Sequence, residues 1–223
     1  MLKMGSNMKG GVQRRWYSTL RFLQMEKESS NTRLNIVIDE LERFTKMLLT
    51  EERRRHTIGV LNFSLFLNEK HNLGLDEMMI RIAALGHDLF RDVGERKMLL
   101  IAKAYGIEPN EIEARKPVLL HSKIAARYLK RKLGEGYDEI MEAVEYHTSG
   151  RRNMGKLAKL IFISDSLEEN RSFPGVEKLR EMVIEDFETG FFEVLKNKLE
   201  YVISNDLILL PESVELWNSI VMM

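Results

Sequence analysis

The stretch Ile82-Ala83-Ala84-Leu85-Gly86-His87-Asp88 runs from an apolar segment directly into a histidine and an aspartate. Apolar residues recur at helical spacing over Met78–Leu85, which predicts a helix with a buried face. An unpaired charge in an apolar interior costs several kcal/mol. The His87-Asp88 pair therefore needs partners from elsewhere in the chain, and the fold has to bring them together.

Helical spacing of apolar residues continues through most of the chain from Leu34 onward. Besides Leu34–Leu48 and Met78–Leu85, it marks His56–Leu67, Ser122–Leu133, Tyr137–Tyr146, Leu157–Leu167 and Phe187–Ile203. Breakers such as Gly94 and Pro117 separate these segments, and the alternating runs that mark β-hairpins are missing from the sequence. The pattern predicts one all-α domain, a helical bundle, over residues 34–223.

The composition excludes several classes of protein. Among 223 residues, 34 Lys and Arg balance 34 Asp and Glu, so there is no charge excess to favour non-specific nucleic-acid binding. No apolar stretch reaches the roughly 18–20 residues of a membrane span. Cysteine is absent, which excludes disulfides, a thiol nucleophile and thiolate metal sites. We expect a cytoplasmic protein that binds neither nucleic acid nor membranes.

Residues 1–33 form a basic N-terminal extension. Its seven Lys and Arg residues are opposed only by Glu26 and Glu28, and it ends in the polar run Ser29-Ser30-Asn31-Thr32, which is typical of a linker. We predict a flexible segment outside the folded domain, and the sequence leaves its role open.

Polar titratable residues lie on the apolar faces of four predicted helices: His56, His121, His147 and Asp165. The pair His87-Asp88 directly follows the apolar stretch Ile82–Leu85. The fifth histidine, His71, lies in a polar turn and is assigned to the surface. Any one buried histidine is more often a satisfied core residue than a ligand, but a metal ion explains the whole set together. Without cysteine, these donors favour Fe, Mn, Co, Ni or Zn.

Two other charged segments are interpreted as ordinary helix. Arg53-Arg54-Arg55 beside Glu51-Glu52 is typical of a solvated helix start. Phe187–Ile203, with its paired Lys and Glu residues, is typical of an amphipathic core helix.

The order His56, His87-Asp88, His121, His147, Asp165 resembles that of the HD-domain metal-dependent phosphohydrolases. The flanking sequences resemble one subfamily, the bacterial YqeK-type symmetrical diadenosine tetraphosphate hydrolases, over roughly residues 36–220. The segments that carry the likeness are Arg55–Val60, Ala83–Asp88, Leu119–His121, His147–Met154, Ile163–Glu168 and Asn170–Val176. The resemblance implies an HD-domain helical bundle with a metal site between helices.

The resemblance also implies which residues hold the metal ion. The family's ligands fall on His56, His87, Asp88 and Asp165, usually with iron bound. The site holds one ion, or two if His121 and His147 also ligate.

Substrate contacts are implied in the same way. His121, His147 and Thr148 fall on phosphate-contacting positions, Arg171 falls on a nucleotide-contacting arginine, and Leu209 and Pro211 lie in a stretch that packs against the nucleoside. Arg91 stands where many members have lysine, and both Arg91 and Arg151 are candidate phosphate clamps. His56, Asp88 and Asp165 are expected to contact substrate through the metal centre.

The implied reaction is hydrolysis of diadenosine tetraphosphate into two ADP molecules by a metal-activated water. In this hypothesis Asp88 orients or deprotonates the water, and His121 and His147 lie near the bridging oxygens. Proteins of this fold often pair, so a homodimer is an open prediction. The alternatives are an HD phosphohydrolase acting on a nucleoside monophosphate, cyclic nucleotide or guanosine polyphosphate, a non-hydrolytic nucleotide sensor, and a di-iron oxygenase.

Overall fold

The structure is a computed structural model, and it describes residues 31–222. They form helices and connecting loops without a β-strand, which confirms the all-α prediction for this part of the chain. The helices are α1 (31–48), α2 (Glu51–Lys70), α3 (Glu77–Gly86), α4 (Glu95–Ala104), α5 (Glu111–Arg115), α6 (Leu120–Leu133), α7 (Asp138–Glu145), α8 (Lys156–Leu167), α9 (Val176–Glu185), α10 (Phe187–Ser204) and α11 (Pro211–Val221), with a 3₁₀ turn at Pro117–Leu119.

Helix α8 lies at the centre of the bundle. Residues on every side of it are buried, including Leu157, Ile161, Phe162 and Ile163, as expected for a helix surrounded by others. Helices α2 and α7 pack directly on it, α3 packs on both α2 and α7, and α6 packs on α7. This arrangement brings histidine or aspartate residues from five helices, α2, α3, α6, α7 and α8, to one region of the interior.

The N-terminal boundary differs slightly from the prediction. Residues 31–33, which the sequence assigns to the linker and extension, already lie in α1. Arg33 Nη1 donates a hydrogen bond to the carbonyl oxygen of Leu133 at 3.0 Å, so the first turn of α1 is tied to the end of α6. The rest of the proposed extension, residues 1–30, lies outside the described residues.

Helices α4, α9 and α11 are elements that the periodicity did not single out. All three begin at sequence breakers. Helix α4 begins after Gly94, α9 begins after Gly175, and α11 begins at Pro211, where the missing backbone N–H is tolerated. Within residues 31–222, no helix is both long enough and apolar enough to cross a bilayer.

Candidate metal centre

Six side chains from five parts of the fold meet beside α8. The cluster consists of His56 from α2, His87 and Asp88 from the end of α3, His121 from α6, His147 from the end of α7, and Asp165 from α8. All four imidazoles are buried, and so is Asp88. Ligand atoms of His56, His87 and Asp165, and separately those of His87, Asp88 and His147, lie within 4.8 Å of one another.

Three of the four imidazoles are fixed by the same local device. In each, Nδ1 lies within hydrogen-bonding distance of the carbonyl oxygen three residues earlier: His87 on Ala84 at 2.7 Å, His121 on Val118 at 2.6 Å, and His147 on Val144 at 2.8 Å. A carbonyl oxygen only accepts, so Nδ1 carries the proton. Where such a ring carries no second proton, its Nε2 atom presents a lone pair to the cluster, which is the state a metal ligand requires.

His56 is held by a carboxylate that the sequence analysis missed. Its Nδ1 lies 3.1 Å from Oε1 of Glu168, which is 1% exposed. Oε2 of Glu168 accepts hydrogen bonds from the backbone and side-chain nitrogens of Asn170, each at 2.8 Å. Burial alone would raise the pKa of Glu168, but His56 and Asn170 lower it, so the carboxylate is ionised and accepts the Nδ1 proton.

Gly59 is the sequence signal that could have located Glu168. It lies in the middle of α2, where glycine ordinarily costs about 0.5–1 kcal/mol relative to alanine. A Cβ at this position would overlap Oε2 of Glu168. The absence of a side chain at Gly59 therefore makes the space in which Glu168 reaches His56.

The imidazoles form two facing pairs with Asp88 between them. Nε2 of His56 and Nε2 of His87 are 3.3 Å apart, and Nε2 of His121 and Nε2 of His147 are 3.2 Å apart. Oδ2 of Asp88 lies 3.8 and 3.6 Å from the first pair, whereas Oδ1 lies 3.2 and 3.5 Å from the second. Each oxygen of Asp88 thus lies next to one pair of histidine nitrogens, and this set of donor atoms suits either one cation or two.

The protonation states of this cluster follow from burial and from its own charges. Burial lowers the pKa of His87 to about 4 and also lowers the pKa of His121. Burial alone would raise the pKa of Asp88, but the surrounding histidines His87, His121 and His147 hold it well below its ordinary value. Neutral imidazoles and an ionised carboxylate are the forms that bind metal ions.

Asp165 completes the cluster on the side of α8. Its Oδ1 lies 3.1 Å from Nε2 of His56 and 3.0 Å from Nη2 of Arg171, whose Nε donates to the Asp165 carbonyl oxygen at 2.9 Å. Burial alone would lower the pKa of His56, but hydrogen bonds to Asp165 and Glu168 raise it. In the absence of a metal ion, His56 can therefore carry a proton on Nε2 and donate it in a hydrogen bond to Oδ1 of Asp165.

Arg53 corrects the interpretation of the arginine run in α2. Its Nη1 donates to Oδ2 of Asp88 at 2.8 Å, so it is a partner of the cluster and not part of a solvated face. Arg54 instead pairs with Glu51 on the surface, and Arg55 is exposed.

A cavity of about 880 Å³ opens beside the cluster. The candidate residues that line it are Arg91, Thr148, Asp165, Arg171 and Leu209. The Thr148 hydroxyl lies 3.1 Å from Nε2 of His147, next to the metal donors. The cavity is also lined by Lys198, which the sequence analysis placed in an ordinary amphipathic helix.

Two candidate substrate residues are not brought to the cavity. Arg151 lies on the surface, with Nε 3.6 Å from Oε1 of Glu142 and its guanidinium 5.2 Å from the centre of the Tyr146 ring. Pro211 is exposed as the first residue of α11. His71, excluded from the site, lies elsewhere, with Nε2 2.8 Å from the carbonyl oxygen of Val183.

Comparisons with known proteins place the cluster within a known family of domains. The HD domain family model matches residues 53–170, which contain the whole six-residue cluster. Proteins named symmetrical bis(5'-nucleosyl)-tetraphosphatase from Halalkalibacterium halodurans and Bacillus subtilis are each 32% identical to this chain. The matches cover 78% and 79% of this chain and 91% and 93% of those proteins.

A solved structure resembles the fold over a similar range. It is a crystal structure from Clostridium acetobutylicum, described as a predicted HD superfamily hydrolase involved in NAD metabolism. It is 29% identical with a TM-score of 0.75, and the match covers 82% of this chain and 96% of that chain.

Proposed function

The chain belongs to the HD domain family, and from this premise we propose that it is a metal-dependent hydrolase that cleaves diadenosine tetraphosphate symmetrically into two molecules of ADP. The single observation that carries the proposal is the set of four buried imidazoles whose Nε2 atoms face one another around Asp88, at the edge of a cavity. The relatives that bear this enzyme name match nearly their full length, which supports the substrate class.

The donor set fits a divalent metal ion. His56, His87, Asp88 and Asp165 would hold one ion, and we propose iron, although Mn, Co, Ni and Zn accept the same donors. A bound divalent ion lowers the pKa of a coordinated water and neutralises charge on phosphoryl oxygens.

Asp88 is proposed to orient the attacking water. Its two oxygens face different histidine pairs, and Arg53 holds the carboxylate in place through Oδ2. The pKa of Asp88 is held well below its ordinary value by the surrounding histidines, so the carboxylate stays ionised and can accept a hydrogen bond from water.

His121 and His147 have two alternative roles, and the hydrogen bonds favour one of them. A donor to a bridging phosphate oxygen would need a proton on Nε2, but in each ring Nδ1 already carries the proton that it donates to a carbonyl. Burial lowers the pKa of His121, so a second proton on that ring is disfavoured. A ligand for a second metal ion needs only the Nε2 lone pair, and we therefore prefer a two-ion centre.

The cavity supports a set of substrate contacts. Arg91, Thr148 and Arg171 would contact phosphate groups, and Leu209 would pack on a nucleoside. Arg151 and Pro211 lie outside the cavity, so we leave them out of the proposed site.

The test is anaerobic purification with metal analysis, followed by incubation with diadenosine tetraphosphate and separation of the products. We expect ADP as the only nucleotide product, lost on chelation and restored by Fe(II), Mn(II) or Co(II). ATP with AMP would overturn symmetrical cleavage, and tight binding without turnover would favour a non-hydrolytic nucleotide sensor.

A pair of variants tests the cluster. His87→Gln should abolish turnover, whereas His71→Gln should retain it, because His71 contacts the Val183 carbonyl away from the centre.

The number of ions is tested by a second variant. If His121 is a ligand, His121→Gln should bind one metal equivalent fewer than the wild-type protein. If His121 contacts phosphate instead, its metal content should be unchanged.

A cytoplasmic location and a homodimer also belong to this proposal. Cell fractionation tests the first, and light scattering after size-exclusion chromatography tests the second.

A further inference from the structure

Lys198 is a lysine on the buried face of a helix. It follows Leu195 by three residues and Val194 by four, and both of these residues are buried. Residues at these spacings share one face of a helix, so the Lys198 side chain enters the interior together with them. Lys196 on the same helix is exposed. A partly buried ammonium is stabilised by an anionic or polar partner.

The polar contacts that Lys198 makes with the described residues are long. Its Nζ lies 3.5 Å from Oδ2 of Asp165, 3.5 Å from the carbonyl oxygen of His147, and 4.2 Å from the centre of the Phe162 ring. Charge-assisted hydrogen bonds are ordinarily about 2.7–2.9 Å long. An ammonium has three N–H donors, and none of these contacts is a short hydrogen bond, so Lys198 retains capacity for another anion.

Arg171 differs from Lys198, although both contact Asp165. Arg171 binds Oδ1 of Asp165 at 3.0 Å and the Asp165 carbonyl oxygen at 2.9 Å, so it fixes the position of the residue. Lys198 makes only the longer contact to Oδ2, and it lines the cavity. A metal ion on Asp165 would share the charge of that carboxylate and leave Lys198 with less compensation.

We propose that Lys198 binds a phosphate group of the substrate at the wall of the cavity next to Asp165. The nature of that substrate as a dinucleoside polyphosphate rests on the function proposed above, whereas the phosphate contact itself does not. The contact would hold one end of the polyphosphate chain against the metal centre. It would add a cation to Arg91 and Arg171, which line the same cavity.

The first experiment uses the wild-type, metal-loaded protein and inorganic phosphate. Acetylation of lysines by a water-soluble acetylating reagent is followed by peptide mass spectrometry, in phosphate and in chloride at equal ionic strength. Lys198 is a quarter exposed in its side chain, which gives the reagent access. We expect phosphate to slow the acetylation of Lys198 and to leave that of Lys196 unchanged. Equal rates for Lys198 in both salts would overturn the proposal.

The second experiment measures turnover of diadenosine tetraphosphate by variants. A hydrogen bond to a charged group makes a large contribution to binding affinity, so Lys198→Gln should raise KM roughly tenfold to a hundredfold. Lys198→Arg, which keeps the charge, should recover part of this loss, and Lys196→Gln should match the wild-type protein. An unchanged KM in Lys198→Gln, or the loss of bound metal from that variant, would overturn the assignment.

The two experiments separate this inference from the proposed function. Protection by inorganic phosphate does not depend on which nucleotide is hydrolysed or on whether hydrolysis occurs. If the protein leaves diadenosine tetraphosphate intact but phosphate protects Lys198, the proposed function fails and the phosphate contact stands.

Discussion

Nε2 of His56 and Nε2 of His87 lie 3.3 Å apart, although Nδ1 of each ring is already bonded to an acceptor. A neutral imidazole with its proton on Nδ1 presents only a lone pair at Nε2. Two such lone pairs repel each other unless a cation lies between them or one ring takes a second proton, as His56 can beside Asp165. His121 and His147 repeat the short distance at 3.2 Å. We therefore expect cation binding at the centre to stabilise the fold.

Removal of the divalent metal is expected to lower the melting temperature. An ion that binds only the folded chain stabilises it by about 4 kcal/mol when its free concentration is 1,000 times its Kd. Scanning calorimetry of the metal-loaded protein, before and after chelation, measures the change. His87→Gln is the control, because loss of a ligand should shrink the effect of the chelator. Equal melting temperatures for the wild-type protein in both conditions would contradict the prediction.

The metal-free protein is expected to lose stability as the pH falls from about 7 to about 4. Burial lowers the pKa of His87 to about 4, whereas an unfolded histidine has a pKa of about 6.5. In this window the unfolded chain binds the proton and the folded chain does not, so stability falls as the pH falls. The full difference between the two pKa values corresponds to about 3 kcal/mol.

Urea unfolding in the presence of chelator, at several pH values, measures this dependence. His87→Gln should have a shallower pH dependence than the wild-type protein, and identical slopes would remove His87 as the cause. The pKa of Asp88 is held well below its ordinary value by the neighbouring histidines. Its own contribution is lost only at still lower pH, since a carboxylate with a lowered pKa stabilises the fold down to that pKa.

Gly59→Ala is expected to destabilise the protein, contrary to the usual effect. In a helix interior this change ordinarily stabilises by about 1 kcal/mol. Here the new Cβ would overlap Oε2 of Glu168 and displace the carboxylate from His56. Loss of such an outer partner typically weakens metal affinity by about 10- to 100-fold. Urea unfolding and metal titration measure the two effects.

The double variant Gly59→Ala/Glu168→Ala tests the cause. Removing the carboxylate removes the overlap, so the alanine at position 59 should be better tolerated in that background than in the wild type. A single Gly59→Ala variant with greater stability than the wild-type protein would show that Glu168 moves aside without cost.

His56 and His121 could be predicted from sequence because each lies on the apolar face of its own helix, and His87 and His147 follow shortly after the ends of α3 and α7. A helical face is a local property, so His56 and His121 are directed inward whatever packs against them. Arg53 could not be found in this way, because it lies in a segment with ordinary helical charge patterning. Lys198 does share the helical spacing of Val194 and Leu195, but the spacing alone does not show which group it meets. In both cases only the packing of another part of the fold brings Asp88 or Asp165 within reach.

Arg151 is a residue that the sequence assigns to the site but that lies on the surface instead. The motif around it resembles a phosphate-contacting segment, but the loop after α7 brings its side chain to Glu142 and Tyr146 on the surface. Loop conformation depends on tertiary contacts that spacing does not encode. Here Ser213 Oγ donates to the carbonyl oxygen of Ser149 at 2.7 Å and ties the loop to α11, a helix that the periodicity did not single out.

Arg180→Lys is expected to weaken metal binding from a distance. From α9, Arg180 donates to three carbonyl oxygens: Leu167 at 2.8 Å, Glu168 at 2.7 Å and Arg171 at 2.9 Å. It therefore holds the backbone of the segment that carries both Glu168, the partner of His56, and Arg171, the partner of Asp165. Lysine keeps the charge but has no planar fork of donors, so it cannot satisfy the three carbonyls in this geometry.

The expected loss of stability for Arg180→Lys is about 1–3 kcal/mol, the cost of leaving a buried acceptor unsatisfied. Lys178→Gln is the matched control, because Lys178 is exposed on the same helix. Metal titration separates the effect on metal affinity from the effect on stability. A variant that binds metal as tightly as the wild-type protein but unfolds at lower urea would show that Arg180 supports only the fold. A lower metal affinity at temperatures where the variant remains folded would show that the loop position sets the geometry of the His56 and Asp165 ligands.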